Sequence, residues 1–407
     1  MNTDGVGQGE TMRERADRRG MRCQGRGRQF TGSRWGLCWL GIILVMAFSY
    51  GVPVWAQVPV TVTITSIDTE LSVVGEGYYV QFRVDPAAAN PSGYQMYGTI
   101  TVDDGEGNTC SRTMSSGTGY ANGWSSGCTL TTRTPGIKTL TATFTPVNAA
   151  QFASGSGTAT HTVLKADTSV SVTSSANPSV TGQSVTFTAA VSVDAPGSGT
   201  PTGTVSFYAG GNLIATSSLS GGSATCATAF AHVASPVAIT ARYNGDANYN
   251  PSDNVLNPLT QTVNKATTAT TVVAGASSWL GEPYTVSGTV SVTSPGAGTP
   301  TGTVTVSDGA GASCAANLVA GAWSCTLASE GSTGTRTLTA VYEGDEDFAG
   351  STGTTSHTVS KVTTTLSVTT APNPSVAGEA VAITATATAR PRPTNTPDIT
   401  ATSVITP

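Results

Sequence analysis

Short runs in which every second residue is apolar recur along the chain from about residue 57 to about residue 389. "SVTFTAAVSV" (184–193) places Val185, Phe187, Ala189 and Val191 on one face and mostly Ser, Thr and Ala between them. "GTVTVSDG" (302–309) alternates in the same way. Each run is bounded by Gly, Pro, Asn or Asp, the residues that make turns. A period of two between turn signals predicts half-buried β-strands. No long segment carries apolar residues at helical spacing, so the pattern predicts an all-β body.

The strand pattern is itself repeated. "PGSGTPTGTV" (196–205) returns as "PGAGTPTGTV" (295–304), with nine of ten letters unchanged at an offset of 99 residues. The same offset lays "ITARYNGDANYNPS" (239–252) on "LTAVYEGDEDFAGS" (338–351) without a gap. "HTVLKA" (161–166), "QTVNKA" (261–266) and "HTVSKV" (357–362) close three successive units, at Lys165, Lys265 and Lys361. A period near one hundred residues is a repeated domain. The first unit keeps "GTITVDDGEGNTC" (98–110) and "TLTATF" (139–144) but lacks the Gly-Asp pair. A fourth begins with "NPSVAGEAVAITATATA" (373–389) and then gives way to "RPRPTNTPDITATSVITP".

In the second unit the alternation predicts about seven strands, near 168–173, 184–193, 203–208, 212–219, 223–230, 237–243 and 257–264. Seven short antiparallel strands in about 100 residues is the profile of an immunoglobulin-like sandwich. The predicted organisation is therefore 57–165, 166–265 and 266–361 as three sandwiches, and 362–389 as an incomplete fourth. Residues 390–407 are expected to be a disordered Pro/Thr-rich tail, or the mark of a reading frame that shifts or ends near codon 389. "PTGTVSFYAGGNLIATSSLSGG…AITARYNGDANYNPS" resembles the bacterial Ig-like repeat domains of secreted and cell-surface proteins. The resemblance is strong over 166–361 and fair over 57–165, and it implies a spacer or adhesion module.

The N-terminus changes the picture of where this array works. Residues 1–34 hold eight arginines, and no charged residue follows until Asp68. "WGLCWLGIILVMAFSYGVPVWAQ" has the basic lead, apolar centre and small residues of an export helix, with cleavage expected between Ala56 and Gln57. The competing reading is an uncleaved anchor over 37–55, the one way in which the chain would touch a membrane. Met12 or Met21 could serve as the start. Eight of the 19 basic and four of the 24 acidic residues precede residue 57, which leaves 11 and 20, a net charge of −9. An acidic chain with no basic patch speaks against nucleic acid as a partner.

An exported location makes the cysteines informative. Cys110 and Cys314 each lie eight residues after a matching valine, and Cys128 ("WSSGCTL") and Cys325 ("WSCTL") match in turn. Disulfides Cys110–Cys128 and Cys314–Cys325 are expected, each between neighbouring strands of one sheet. In the second unit Cys226 matches Cys325, but Ala215 stands where Cys314 would be. Cys226 is expected to be an unpaired, buried small residue, with an intermolecular disulfide as the alternative.

Chemistry was sought elsewhere in the chain. His161 and His357 share one repeat position, where the second unit has Gln261, and are expected to be exposed strand residues. No nucleophile elbow and no phosphate loop is present. The acidic run "EGDEDF" (343–348) is expected to be a solvated turn, with calcium between domains as the alternative for 343–347. Trp124 and Trp323 precede the second cysteine of each pair and are expected to pack in the core. Tyr120 and Trp124, on the long insert 112–127, are the candidate for a binding surface instead.

The sequence therefore predicts a non-enzymatic, exported, monomeric array of tandem immunoglobulin-like sandwiches, secreted or at the cell surface, with no cofactor. Three sandwiches of strand height would span about 100 Å. A carbohydrate- or protein-binding module with its site in the first unit is the alternative, as is the spacer of a larger, truncated surface enzyme. The expected partner is an extracellular protein or glycan of unknown identity.

Overall fold

The computed structural model describes residues 57–86, 95–114, 123–371, 373–389 and 400–405. The export segment, the cleavage residue Ala56 and the insert residue Tyr120 lie outside these. No helix among the described residues is long and apolar enough to cross a membrane.

Three sandwiches follow one another, each a smaller sheet facing a larger one, the smaller sheet having three strands in repeats 1 and 2 and four in repeat 3. In repeat 1, Val60–Ile67, Gly77–Pro86 and Trp124–Thr131 form the smaller sheet, with Gly77–Pro86 in the centre. The larger sheet has the order Leu71–Val73, Gly155–Leu164, Gly136–Pro146, Gly98–Asp103, Thr109–Met114. Repeat 3 reproduces that order with Ser277–Trp279, Ala349–Ser360, Gly334–Gly344, Thr303–Ser307 and Ser313–Asn317. In repeat 2, Val185–Val193 is flanked by Thr168–Ser174 and Ser223–Thr228. Its facing sheet is built on Asn212–Ser218, Thr204–Ala209 and Val237–Tyr243.

The alternation explains the core. Val185, Phe187, Ala189 and Val191 all point inward and meet Val205, Phe207, Ile239 and Tyr243 from the opposite sheet. Burying an aliphatic or aromatic side chain of this kind contributes about 1.5–3 kcal/mol. The predicted strand at 184–193 is observed as Val185–Val193, and that at 237–243 as Val237–Tyr243.

The first strand of each repeat does more than the pattern predicts. After pairing in the smaller sheet, the chain crosses to the other layer and runs parallel to the last strand. Leu71–Val73 pairs with Thr162–Leu164, Ser179–Val180 with Val263–Asn264, and Ser277–Trp279 with Thr358–Ser360. These segments are two or three residues long, too short to show a period. In repeats 1 and 3 they close one side of the larger sheet, which the seven-strand pattern leaves open; in repeat 2 the pair stands as a two-stranded sheet of its own.

The fourth unit corrects one expectation. Thr364–Ala371 and Ala382–Ala389 pair antiparallel as predicted, and Thr400–Ile405 adds a third strand with Ile383 opposite Ile405. The tail over 390–407 is thus not disordered throughout. "TATSVI" is rich in Thr, Val and Ile and follows the last internal proline, Pro397, so nothing blocks its ladder. No residue of 362–389 that the structure describes is buried. The sheet has the form of the three-stranded half of repeats 1 and 2.

Candidate functional site

Each disulfide ties the two layers of a sandwich together. Cys110 and Cys128 are 5.8 Å apart at Cα, and Cys314 and Cys325 6.0 Å. The expectation that each joins neighbours within one sheet is corrected. Thr109–Met114 bonds to Gly98–Asp103 in the larger sheet, while Trp124–Thr131 bonds to Gly77–Pro86 in the smaller. The chain changes layer between them, so consecutive strands face each other at the sandwich edge and the sulfurs bridge the gap. Repeat 2 holds the same geometry without the bond. Ala215 lies opposite Phe207 as Cys314 lies opposite Val306, and Cys226 lies opposite Phe187 as Cys325 lies opposite Val286. Cys226 is free and buried, and burial pushes its thiol up.

The tryptophans beside these bridges face inward. Trp124 is half-buried, with its ring centroid 5.9 Å from that of Phe82. Trp323 is buried over Gly288, where an added Cβ would come within 2.6 Å of its ring. Trp124 thus contributes its ring to the core edge rather than to an open platform.

A buried polar cluster closes one end of repeats 1 and 3. His161 and His357 are 3% and 1% exposed, which corrects the reading of exposed strand residues. The physical reason is the parallel segment just described, which covers the strand that carries them. In repeat 1, Ser72 Oγ is 2.8 Å from His161 Nε2, and the imidazole lies 4.2 Å from the Tyr78 ring. The Tyr78 hydroxyl reaches Thr132 Oγ1 at 2.9 Å, and Thr132 donates to Asp104 at 3.0 Å. In repeat 3, Ser278 Oγ is 2.9 Å from His357 Nε2, and the ring stacks on Tyr284 at 3.9 Å. Arg336 beside it is paired with Asp308 at 2.5 Å, with side chains 5% and 0% exposed. Burial opposes the charge on Asp104 and Asp308, yet the hydrogen bonds to each outweigh it and hold the carboxyls below their ordinary value.

Repeat 2 fills the same positions with apolar groups. Val185, Ala209, Phe230 and Val237 stand where repeat 3 has Tyr284, Asp308, Ser329 and Arg336. Gln261 replaces the histidine, is fully buried, and donates to Ser179 Oγ at 3.1 Å.

In the Gly-Asp turn Glu343 and Glu346 are exposed, as expected of a solvated turn, while Asp345 acts as a staple. Asp345 accepts Thr301 N and Oγ1 on one oxygen, at 2.9 and 2.8 Å. Its other oxygen accepts Asp347 N and Phe348 N, at 2.9 and 2.7 Å. Asp246 makes the same four bonds with Thr202, Asn248 and Tyr249. These bonds overcome the cost of burial and hold both carboxyls below their ordinary value. With both oxygens committed, Asp345 has little left to offer a cation. No group of three or more metal-type side chains occurs among the described residues.

The staple positions the junctions between repeats. Lys165, the last residue of repeat 1, donates to the carbonyl of Asp246 at 2.6 Å, and Lys265 reaches that of Asp345 in the same way. Ala166 and Ala266 pair with the Tyr249 and Phe348 turns beyond them. The duplicated loop also docks backward. Ser198 donates from N to Val74 O at 3.2 Å and from Oγ to Gly75 O at 2.7 Å. Ala297, its counterpart, donates from N to Thr181 O at 3.1 Å. Gly75 and Gly182 sit at φ +80° and +72°, and a Cβ on either would lie 2.3 or 2.0 Å from the incoming carbonyl. The Pro and Gly residues of this loop by themselves predict only a turn. Its near-identity in the two copies was the signal of a second constraint.

These two gap-free copies also match a known family. The model of the bacterial Ig-like domain (group 3) matches residues 172–264 and 265–360. Both segments are bacterial Ig-like domains. Repeat 1 shares their strand order although that model does not extend over it. No curated protein sequence matches the chain. Among solved structures, the chain is similar to the Escherichia coli adhesin FdeC, at 16% identity over 75% of this chain and 97% of that one, with a TM-score of 0.26. It is similar to three N-terminal domains of the bacteriophage RB49 outer capsid protein Hoc, at 15% identity over 75% and 100%, with a TM-score of 0.22. Titin domains A168–A170 align at 9% identity over 73% and 97%, with a TM-score of 0.29. In both bacterial Ig-like domains of this chain, the parts that vary are the inter-sheet bridge and the end cluster, whereas the aspartate staple and the junction glycine of repeat 2 recur in the repeat beside it.

Proposed function

We propose that the chain is an exported, non-enzymatic spacer at the cell surface or outside the cell, built to hold its repeats in a fixed succession. The observation that carries this reading is the repeated junction. Each last lysine reaches the next repeat's aspartate turn, and each duplicated loop meets the preceding repeat's glycine. Two contacts on opposite sides of a linker of almost no length restrict hinge motion. The inter-sheet disulfides support an oxidising location, and the acidic surface keeps such an array from self-association.

Small-angle scattering from the exported chain tests the proposal. A maximum dimension of about 100 Å or more is expected from three sandwiches end to end. A compact chain of this length has a radius of gyration near 19 Å, and a maximum dimension of about 60 Å would overturn the spacer reading.

A further inference from the structure

The geometry points to an acid-sensitive latch in repeat 1, in which protonation of His161 releases the short parallel segment that closes the sandwich. In repeat 1 that segment continues into the site where repeat 2 docks. The inference stands apart from the spacer reading, since it concerns what repeat 1 does on acidification and not how the repeats are arranged.

Both histidines bridge from the last strand to the crossing segment, through Ser72 on Leu71–Val73 and Ser278 on Ser277–Trp279. The tautomer in repeat 3 follows from the partners. Nδ1 of His357 lies 2.6 Å from the carbonyl of Gly275, which can only accept, so Nδ1 carries the proton. In a neutral ring of that tautomer Nε2 accepts from Ser278, and the matching pair in repeat 1 is His161 Nε2 and Ser72 Oγ. A second proton on His161 Nε2 would turn an acceptor into a donor and force the Ser72 hydroxyl to rotate.

The surroundings of His161 disfavour that proton. Each histidine sits opposite a cation in register, His161 opposite Lys138 and His357 opposite Arg336. Lys138 is paired with Glu106, and Arg336 with Asp308, so the opposing carboxylates are already engaged. Tyr78 and Tyr284 cover the ring faces. Asp68 and Glu76 favour the charged form of His161, and Asp104 lies beyond Tyr78 through Thr132. On the repeat 3 side, Glu282 bonds the backbone of Trp279 next to Ser278. Burial outweighs the two carboxylates and holds His161 below its ordinary value of 6.5. The unfolded or unlatched chain therefore binds more protons below pH 6.5. The latch is fully held above that value, and its hold falls as the pH drops toward the folded value.

Repeat 2 lacks a histidine at this position. Gln261 holds Ser179 by a bond of the opposite direction, donating from an amide that does not titrate, and Val237 replaces the cation opposite. Its own histidine, His232, lies on backbone and hydroxyl groups instead, with Nδ1 2.5 Å from Val263 O and its N donating to Thr181 Oγ1. The segment that Gln261 holds leads to Thr181 and Gly182, the docking site for repeat 3. Acid should therefore loosen the junction of repeats 1 and 2, where Ser198 meets Val74 and Gly75, and spare that of repeats 2 and 3.

Hydrogen exchange read by mass spectrometry on the exported chain, at about pH 7.5 and about pH 5 with intrinsic rates normalised, tests this. Peptides over 71–75 with 155–164 should lose severalfold of their protection at the lower pH. Peptides over 179–182 and 259–264 should keep theirs. The variant His161→Gln carries the residue that repeat 2 already accommodates and should abolish the loss. Equal acid response in repeats 1 and 2, or an unchanged response in the variant, overturns the latch. Should the variant not fold, an NMR titration of the wild-type imidazoles decides the matter: a His161 midpoint at the ordinary 6.5 overturns it, and one clearly below supports it.

Discussion

Repeats 2 and 3 align without a gap over their central 57 residues, share a family, and close their sandwiches by different means. Repeat 3 bridges its sheets with Cys314–Cys325 and plugs one end with Arg336, Asp308, His357 and Tyr284. Repeat 2 has a free Cys226, no bridge, and Val185, Ala209, Phe230 and Val237 at the same end, with Phe230 packed 6.1 Å from Phe187. The backbone tolerates both because strand pairing and the central core are common to the two. What differs is the vulnerability of each. An apolar plug can lose a methyl group and relax, whereas a polar plug fails if one member goes missing. Repeat 2 carries its risk in missing covalent support, and repeat 3 in a network that must stay complete.

The largest expected effect comes from breaking that network. Arg336→Ala leaves Asp308 charged and buried, which should cost repeat 3 about 3–5 kcal/mol in denaturant unfolding. The double change Arg336→Val, Asp308→Ala copies repeat 2 and should recover most of the loss. If the double variant is as unstable as the single one, the apolar plug does not transfer between repeats and the comparison fails.

The bridge comes next. Cys314→Ala copies repeat 2 and should destabilise repeat 3 by about 3 kcal/mol, from the chain entropy of an 11-residue loop. Ala215→Cys is the converse change and should form a new bond to Cys226, with a similar gain for repeat 2. Peptide mapping without reductant checks the bond, and a free thiol at both positions after oxidation would show that the two edges are not equivalent.

The junction glycines should give a smaller change. Gly182→Ala forces a side chain into the left-handed region and against the carbonyl of Ala297, at a cost of about 1–2 kcal/mol. Unfolding of repeats 2 and 3, merged or partly merged in the parent, should separate further in the variant.

The acid limb shared by both repeats should be smaller still. Asp246 and Asp345 are held below their ordinary value of 3.8, so their contribution is present above that pH and is lost as the pH falls through the folded value. Asp345→Asn should flatten this limb for repeat 3 and leave it in repeat 2, as read by urea midpoints between about pH 5 and pH 2. Last, native Cys226 should resist a thiol probe until the domain unfolds, because burial keeps its thiol protonated.

Much of this was legible in the sequence because alternation and turn residues act locally. The run at 184–193 marks its own strand, and the 99-residue offset carries that reading from one repeat to the next without knowledge of any contact. The disulfide pairs were legible for the same reason, since equivalent positions imply equivalent partners. The tail strand Thr400–Ile405 was missed because the prolines before it outweighed a six-residue pattern.

What the sequence by itself determined is the longer strands, the repeat and the inward faces. Only the tertiary structure decided which layer each strand joins. That choice put Cys110 and Cys128 in different sheets, buried His161 and His357 beneath three-residue segments, and turned the loop at Ser198 into a docking surface. Each of these rests on a pairing between residues tens of positions apart. The side-chain period along a strand states which face is buried, but it carries no information on what lies across the gap or beyond the last hydrogen-bonded edge.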